Sequence, residues 1–141
     1  MGKIQNIINK LKRDGSVEAQ EKALLLIIRA NEADALNLNR SQLLNNKDSE
    51  GESLGEYASI AYANKKGSHL VDLFLTGSFQ DKLLLEADKF PARFDSSDKK
   101  TEQLTERYGE SIFGLDEKSK GAFVGEIKPQ VQDFYRSLIH V

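Results

Sequence analysis

The amino-acid sequence predicts an α+β fold with N-terminal helices, a small antiparallel β-sheet and a C-terminal helix. Three observations carry that expectation. Apolar residues recur at helical steps through the first third of the chain, with no glycine or proline between Gly15 and Gly51. From Leu54 onward the texture changes, and Gly55, Gly67, Gly77, Pro91, Gly109 and Gly114 cut the chain into short segments. Near the C-terminus the helical spacing returns, at Phe123, Ile127, Val131, Phe134 and Leu138. The 141 residues suit a single domain, 1–141, with a helical part over 1–50 and a glycine-punctuated strand-and-helix part over 54–141.

Ile4, Ile7, Ile8 and Leu11 form the apolar stripe of a short amphipathic helix, and Gly15 is a natural stop for it. Ser16 followed by Val-Glu-Ala reads as a new N-cap with an acid in the first turn. From Val17 the pattern predicts one long helix, or two with a break near 37–41, closing in the polar stretch 45–52. Residues 57–63 fit either strand or helix. Segments 79–87 and 90–94 read as two strands of a hairpin turning at Asp88-Lys89. Phe90, Ala92 and Phe94 alternate with Pro91 and Arg93, so one face can be buried, and Pro91 marks an edge strand. Asp98 opens a helix to Arg107, with Leu104 and Tyr108 on its inner side and Gly109 closing it. Pro129 falls inside the last helical stretch and predicts a restart there, with Pro in the first turn. The apolar residues up to Val141 predict a docked C-terminus.

Composition excludes several function classes. Twenty basic residues stand against twenty-two acidic ones, a formal net charge of −2, without the basic excess of a nucleic-acid binder. There is no cysteine, so disulfides, thiol nucleophiles and cysteine-ligated metals are excluded. Residues 1–14 are charged throughout and lack the apolar stretch of a secretion signal, and the longest apolar run, 23–28, is far too short to span a bilayer. The expectation is a protein made in a cytoplasm, with no membrane partner.

The residue types that could carry chemistry are sparse. The two histidines, His69 and His140, are far apart and belong to no dense ligand motif, so no metal site is expected. The run Asp95-Ser96-Ser97-Asp98 lacks the alternation of a calcium loop, and reads as a cap for the helix that follows. Lys99, Lys100, Glu102, Glu106 and Arg107 read as that helix's solvated face. Ser78 has no nucleophile elbow around it, and the single Gly77 makes no phosphate loop. A small hydrolase using Ser78 or Asp72 with a histidine finds no motif behind it. The expectation is a non-enzymatic protein with no catalytic residue and no cofactor.

Val71-Asp72-Leu73-Phe74-Leu75-Thr76-Gly77-Ser78-Phe79 resembles a stretch in small neck proteins of tailed bacteriophages, the head–tail connector and tail-completion family. The segment Tyr108-Gly109 to Ile112-Phe113-Gly114-Leu115 is similar to that family's late aromatic-glycine turn before its last helix. The likeness covers residues 57–141, and Gln80-Asp81 stand where the family usually carries a basic residue. It implies that Thr76, Gly77, Phe79, Phe113 and Gly114 are structural turn residues. It also implies a virion protein of the neck or tail, synthesised in the host cytoplasm and assembled into a homo-oligomeric ring. Portal, connector or tail-tube proteins would be its partners, with DNA only as passing cargo. Ile4, Ile7, Ile8 and Leu11 on the first helix, with Phe90 and Phe94 on the edge strand, are the candidate interface. The alternative is a cytoplasmic, non-enzymatic protein-binding module encoded by a bacterium or prophage.

Overall fold

The computed structural model describes residues 2–57, 59–67, 70–73 and 78–139, the side chains of 2–4, 11, 14, 78 and 139 excepted. Three helices come first: α1 (Gly2–Asp14), α2 (Val17–Ala30) and α3 (Glu32–Leu44). Gly15, at φ +69°, ends α1 in a left-handed conformation that costs glycine little. Ser16 then caps α2, its Oγ accepting the Ala19 N–H at 3.1 Å.

The division between α2 and α3 falls at Asn31, and not near 37–41 as the sequence suggested. Asn31 Nδ2 donates to the Ile27 carbonyl at 2.8 Å and to Gln130 Oε1 at 3.0 Å. A side chain that competes for its own helix's carbonyls is a local reason for the break. The polar residues at 37–41 leave α3 intact because other groups engage them. Asn37 Oδ1 accepts from Arg40 Nη1 at 2.9 Å, and Asn39 bonds to a distant loop.

Past the turn that follows α3, α4 (Ile60–Lys66) makes helix of the 60–63 part of the ambiguous 57–63 segment. Ser59 Oγ accepts the Tyr62 N–H at 3.2 Å, and Gly67 closes the helix at φ +77°. The one-turn helix α5 (Ser78–Asp81) precedes β1 (Leu83–Glu86) and β2 (Arg93–Ser96). These two strands pair antiparallel, with Leu83 opposite Ser96 and Leu85 opposite Phe94.

The hairpin is therefore shifted from 79–87 and 90–94. Phe79, only 4% exposed, is buried from the helical turn and not from a strand. Phe90 lies in the 87–92 loop, joined to Pro91 by a cis peptide bond, and is exposed. Pro91 sits outside the ladder it could not donate to, so it marks a loop and not an edge strand. Of the expected alternating face, Ala92 and Phe94 pack against the core and Phe90 does not.

Helix α6 (Thr101–Tyr108) starts three residues later than expected. Asp98 instead organises the turn before it, Oδ1 accepting the Lys100 N–H at 2.7 Å and its carbonyl the Thr101 N–H at 3.1 Å. Gly109, at φ +86°, follows the helix, and a 3-10 turn (Glu110–Ile112) leads to α7 (Glu117–Ile139). Pro129 does not restart α7, which runs through it. Pro129 and Gly125, whose carbonyl it leaves without an N–H, are both on the exposed side, where water can take the acceptor. Residues 140–141, expected to be docked, lie outside the described residues.

One core joins both parts of the chain. Ile27, Ala35 and Leu43 from α2 and α3 meet Leu83 and Leu85 of β1, Ile112, and Phe123 and Ile127 of α7. α7 packs against α1, α2 and α3, so the C-terminal helix closes the N-terminal ones. Among the described residues no helix is long and apolar enough to cross a membrane.

Candidate functional site

Three arrangements concentrate polar chemistry. The first is a clasp on residues 111–116. Asn39, fully buried on α3, donates from Nδ2 to the Ile112 carbonyl at 3.1 Å and accepts the Gly114 N–H on Oδ1 at 3.3 Å. Gln42, one helical turn on, donates to the Gly114 carbonyl at 2.9 Å and accepts the Asp116 N–H at 2.8 Å. Buried Asp48 accepts the Glu50 and Glu52 N–H groups on Oδ1, each at 2.9 Å, and the Ser111 hydroxyl on Oδ2 at 2.9 Å. Phe79 and Phe113 lie against each other nearby, centroids 6.0 Å apart. Gly114 has φ +102°, and a Cβ there would come 3.4 Å from Ser49 Cβ, so the loop closes best on glycine. Each side-chain polar atom of Asn39 and Gln42 serves a backbone group. The clasp holds a loop in place.

The second is an open cleft of about 620 Å³ between β2, α6 and the 3-10 turn. Phe94 and Phe113 form its apolar part. Glu86, Asp95, Asp98, Glu102 and Glu110 line it against Arg93 and Lys99, an excess of three acidic residues (five against two). Asp98, nearly buried, is committed to the Lys100 N–H and lies 4.0 Å from Lys82 Nζ. The remaining acids stand at the surface or half-exposed. This arrangement attracts cationic groups; the Thr101 and Thr105 hydroxyls beside it donate to the Asp98 and Glu102 carbonyls.

The third links Tyr57, Lys66 and Asp72. Asp72 Oδ1 accepts the Tyr57 hydroxyl at 3.2 Å and the Lys66 ammonium at 3.0 Å, both ionic side chains being mostly buried. Burial, chiefly, pushes the Tyr57 hydroxyl up to about 12, and the neighbouring Asp72 charge adds to it. Tyr57 thus stays protonated at neutral pH and serves as a donor. The Asp72 carbonyl accepts from buried Gln80 Nε2 at 2.8 Å, and the Gln80 carbonyl accepts from Arg40 Nε at 2.8 Å. These bonds tie Asp72 to α5 and α5 to α3. Ser78 and the two histidines, on which the hydrolase reading of Ser78 or Asp72 with a histidine draws, have side chains outside the described residues.

The residues named from sequence are only partly brought together. Phe79, Phe113 and Gly114 meet at the clasp, although 34 residues separate the two phenylalanines (113 less 79). Thr76 and Gly77 lie outside the described residues. On α1, Ile7 is exposed and Ile8 half-buried, whereas the side chains of Ile4 and Leu11 lie outside the described residues. Phe90 is exposed on the hairpin loop, and half-buried Phe94 reaches the cleft. Asn39, Gln42 and Asp48 were missed. One signal was available: Asn39 and Gln42 are three apart, on a helix that also buries Leu36 and Leu43. Among the described residues no group of three histidine, aspartate or glutamate side chains could hold a metal ion. No family model, curated protein or solved structure matches the chain.

Proposed function

We propose that this protein is a non-enzymatic structural subunit that acts by protein–protein assembly, as a ring-forming head–tail connector or tail-completion component at the neck of a tailed bacteriophage. The observation that supports assembly best is apolar surface left uncovered on α7. Val124 and Tyr135 are 52% and 43% exposed, and eleven residues apart they stand on the same side of the helix. Ile7 on α1 and Phe90 on the hairpin loop add apolar exposure elsewhere. A closed ring needs two different surfaces on each subunit, one meeting the other on its neighbour, and these positions lie on different elements. The neck assignment draws on the likeness of 71–79 and 108–115 to that family. The portal or tail-tube protein would be the next partner along the particle.

The test is direct. Light-scattering mass and negative-stain images of the purified protein, alone and mixed with a portal ring, should show closed rings or ring-on-portal complexes. A protein that stays monomeric and binds neither portal nor tail-tube protein overturns the reading.

A further inference from the structure

Charge in this molecule is segregated although its total is nearly balanced. Helix α1 carries Lys3, Lys10, Lys12 and Arg13 against Asp14, an excess of three positive charges (four against one). The cleft beside β2 and α6 carries an excess of three acidic residues. The two surfaces belong to different parts of the fold: α1 packs chiefly on α2 and α7, and the cleft is built from β2, α6 and the 3-10 turn. Placing cations in the last turn of a helix suits its dipole, which accounts for Lys12 and Arg13. It does not account for what stands with them.

The exposed side of α1 has an order. Ile7, Lys10 and Arg13 follow at three-residue steps, within a sector of about 120°, and all three are exposed. One apolar side chain is therefore followed along the helix by two cations. The cleft offers the matching set, Phe94 and Phe113 as apolar floor with Glu102 and Glu110 among its rim. None of Lys10, Arg13, Glu102 and Glu110 has an ion pair among the described residues.

We propose that α1 of one subunit docks in the acidic cleft of a second copy of this chain, Ile7 against Phe94 and Phe113, Lys10 and Arg13 against Glu102 and Glu110. The contact is head-to-tail, because each subunit brings a different surface to it, and repeating it builds a ring or a filament. This inference rests on the assembly reading above and names the contact through which it proceeds. Like charges facing each other across such a contact disfavour it strongly, and opposite ones set its register.

Charge reversal tests it on the full-length protein. One variant is Lys10→Glu with Arg13→Glu; the other is Glu102→Lys with Glu110→Lys. All four positions are exposed, and circular dichroism checks that each variant folds. Sedimentation should show the parent protein associating at low salt and dissociating at high salt. Each double variant alone should associate at least about tenfold more weakly. An equimolar mixture of the two should recover the parent's association, since every α1 then finds a cleft of opposite charge. So should the single chain carrying all four substitutions. Loss without recovery on mixing overturns the proposal. If each variant associates as the parent does, the docking is refuted and the assembly reading stands. If the parent is monomeric at every salt concentration the docking is likewise refuted, and binding to the portal ring then decides the assembly reading by itself.

Discussion

Replacing Asn39 by alanine removes two of the three side-chain bonds that fix the 112–114 segment to α3, leaving the one from Gln42 to the Gly114 carbonyl. The Ile112 residue is fully buried, so its carbonyl loses its donor where water does not reach. An orphaned buried acceptor costs about 1–3 kcal/mol. Gly114 is half-exposed, and its N–H can turn to solvent at smaller cost. Adding the space vacated by a fully buried side chain, the loss comes to about 2–4 kcal/mol. For a domain whose whole stability is about 5–15 kcal/mol, that is a large share. Urea unfolding followed by helical circular dichroism should show a lower midpoint with an unchanged slope, and Tm should fall by about 10 °C. Asn39→Asp keeps an acceptor for the Gly114 N–H but turns a carboxylate oxygen toward the Ile112 carbonyl, so it should cost at least as much. Gln42→Ala should be coupled to Asn39→Ala by about 0.5 kcal/mol or more in a double-mutant cycle, because both side chains hold Gly114. A loss below about 0.5 kcal/mol for Asn39→Ala would refute the clasp.

Leu43, fully buried in the core, should lose about 2–5 kcal/mol on Leu43→Ala, measured by the same unfolding curves. Ser16→Ala removes the cap of α2 and should cost about 1 kcal/mol, while Ser16→Asp should restore most of it. The Asp34 carboxylate beside Glu126 favours its protonated form, which can donate a hydrogen bond to Asp34, and so raises Glu126 above its ordinary value near 4.5. The folded protein then holds that proton more tightly than the unfolded chain, so the stabilisation is complete below the ordinary value and fades as pH rises through the folded one. Glu126→Gln cannot ionise, and its stability relative to the parent should rise over that window. A gap between the two unfolding midpoints that stays constant with pH would show that the pair does not contribute.

Much of the helical layout was legible because its signals are local. The Ser16 cap, the Gly15 and Gly109 stops and the Leu104–Tyr108 spacing act within a turn or two of themselves. The candidate site was less legible. Phe79, Phe113 and Gly114 were named as turn residues in two segments more than 30 positions apart, yet their meeting is a tertiary fact. Asn39 and Gln42 read as polar interruptions in α3, because nothing near them in sequence reveals the backbone groups they bind, some 72 to 75 residues away.

The sequence by itself determined an α+β protein: amphipathic and capped helices at both ends, and a glycine-cut middle able to hold a short antiparallel pair. Tertiary structure decided where those elements begin and end. The α2–α3 break settled on Asn31, which bonds to Gln130 of α7. The hairpin slid to 83–86 and 93–96 once Phe79 was buried from a helical turn against Phe113. Pro129 stayed within α7 because the acceptor it frees lies on the solvent side. Propensity and capping are short-range, whereas register and the fate of buried polar groups depend on partners that only the folded chain brings within reach.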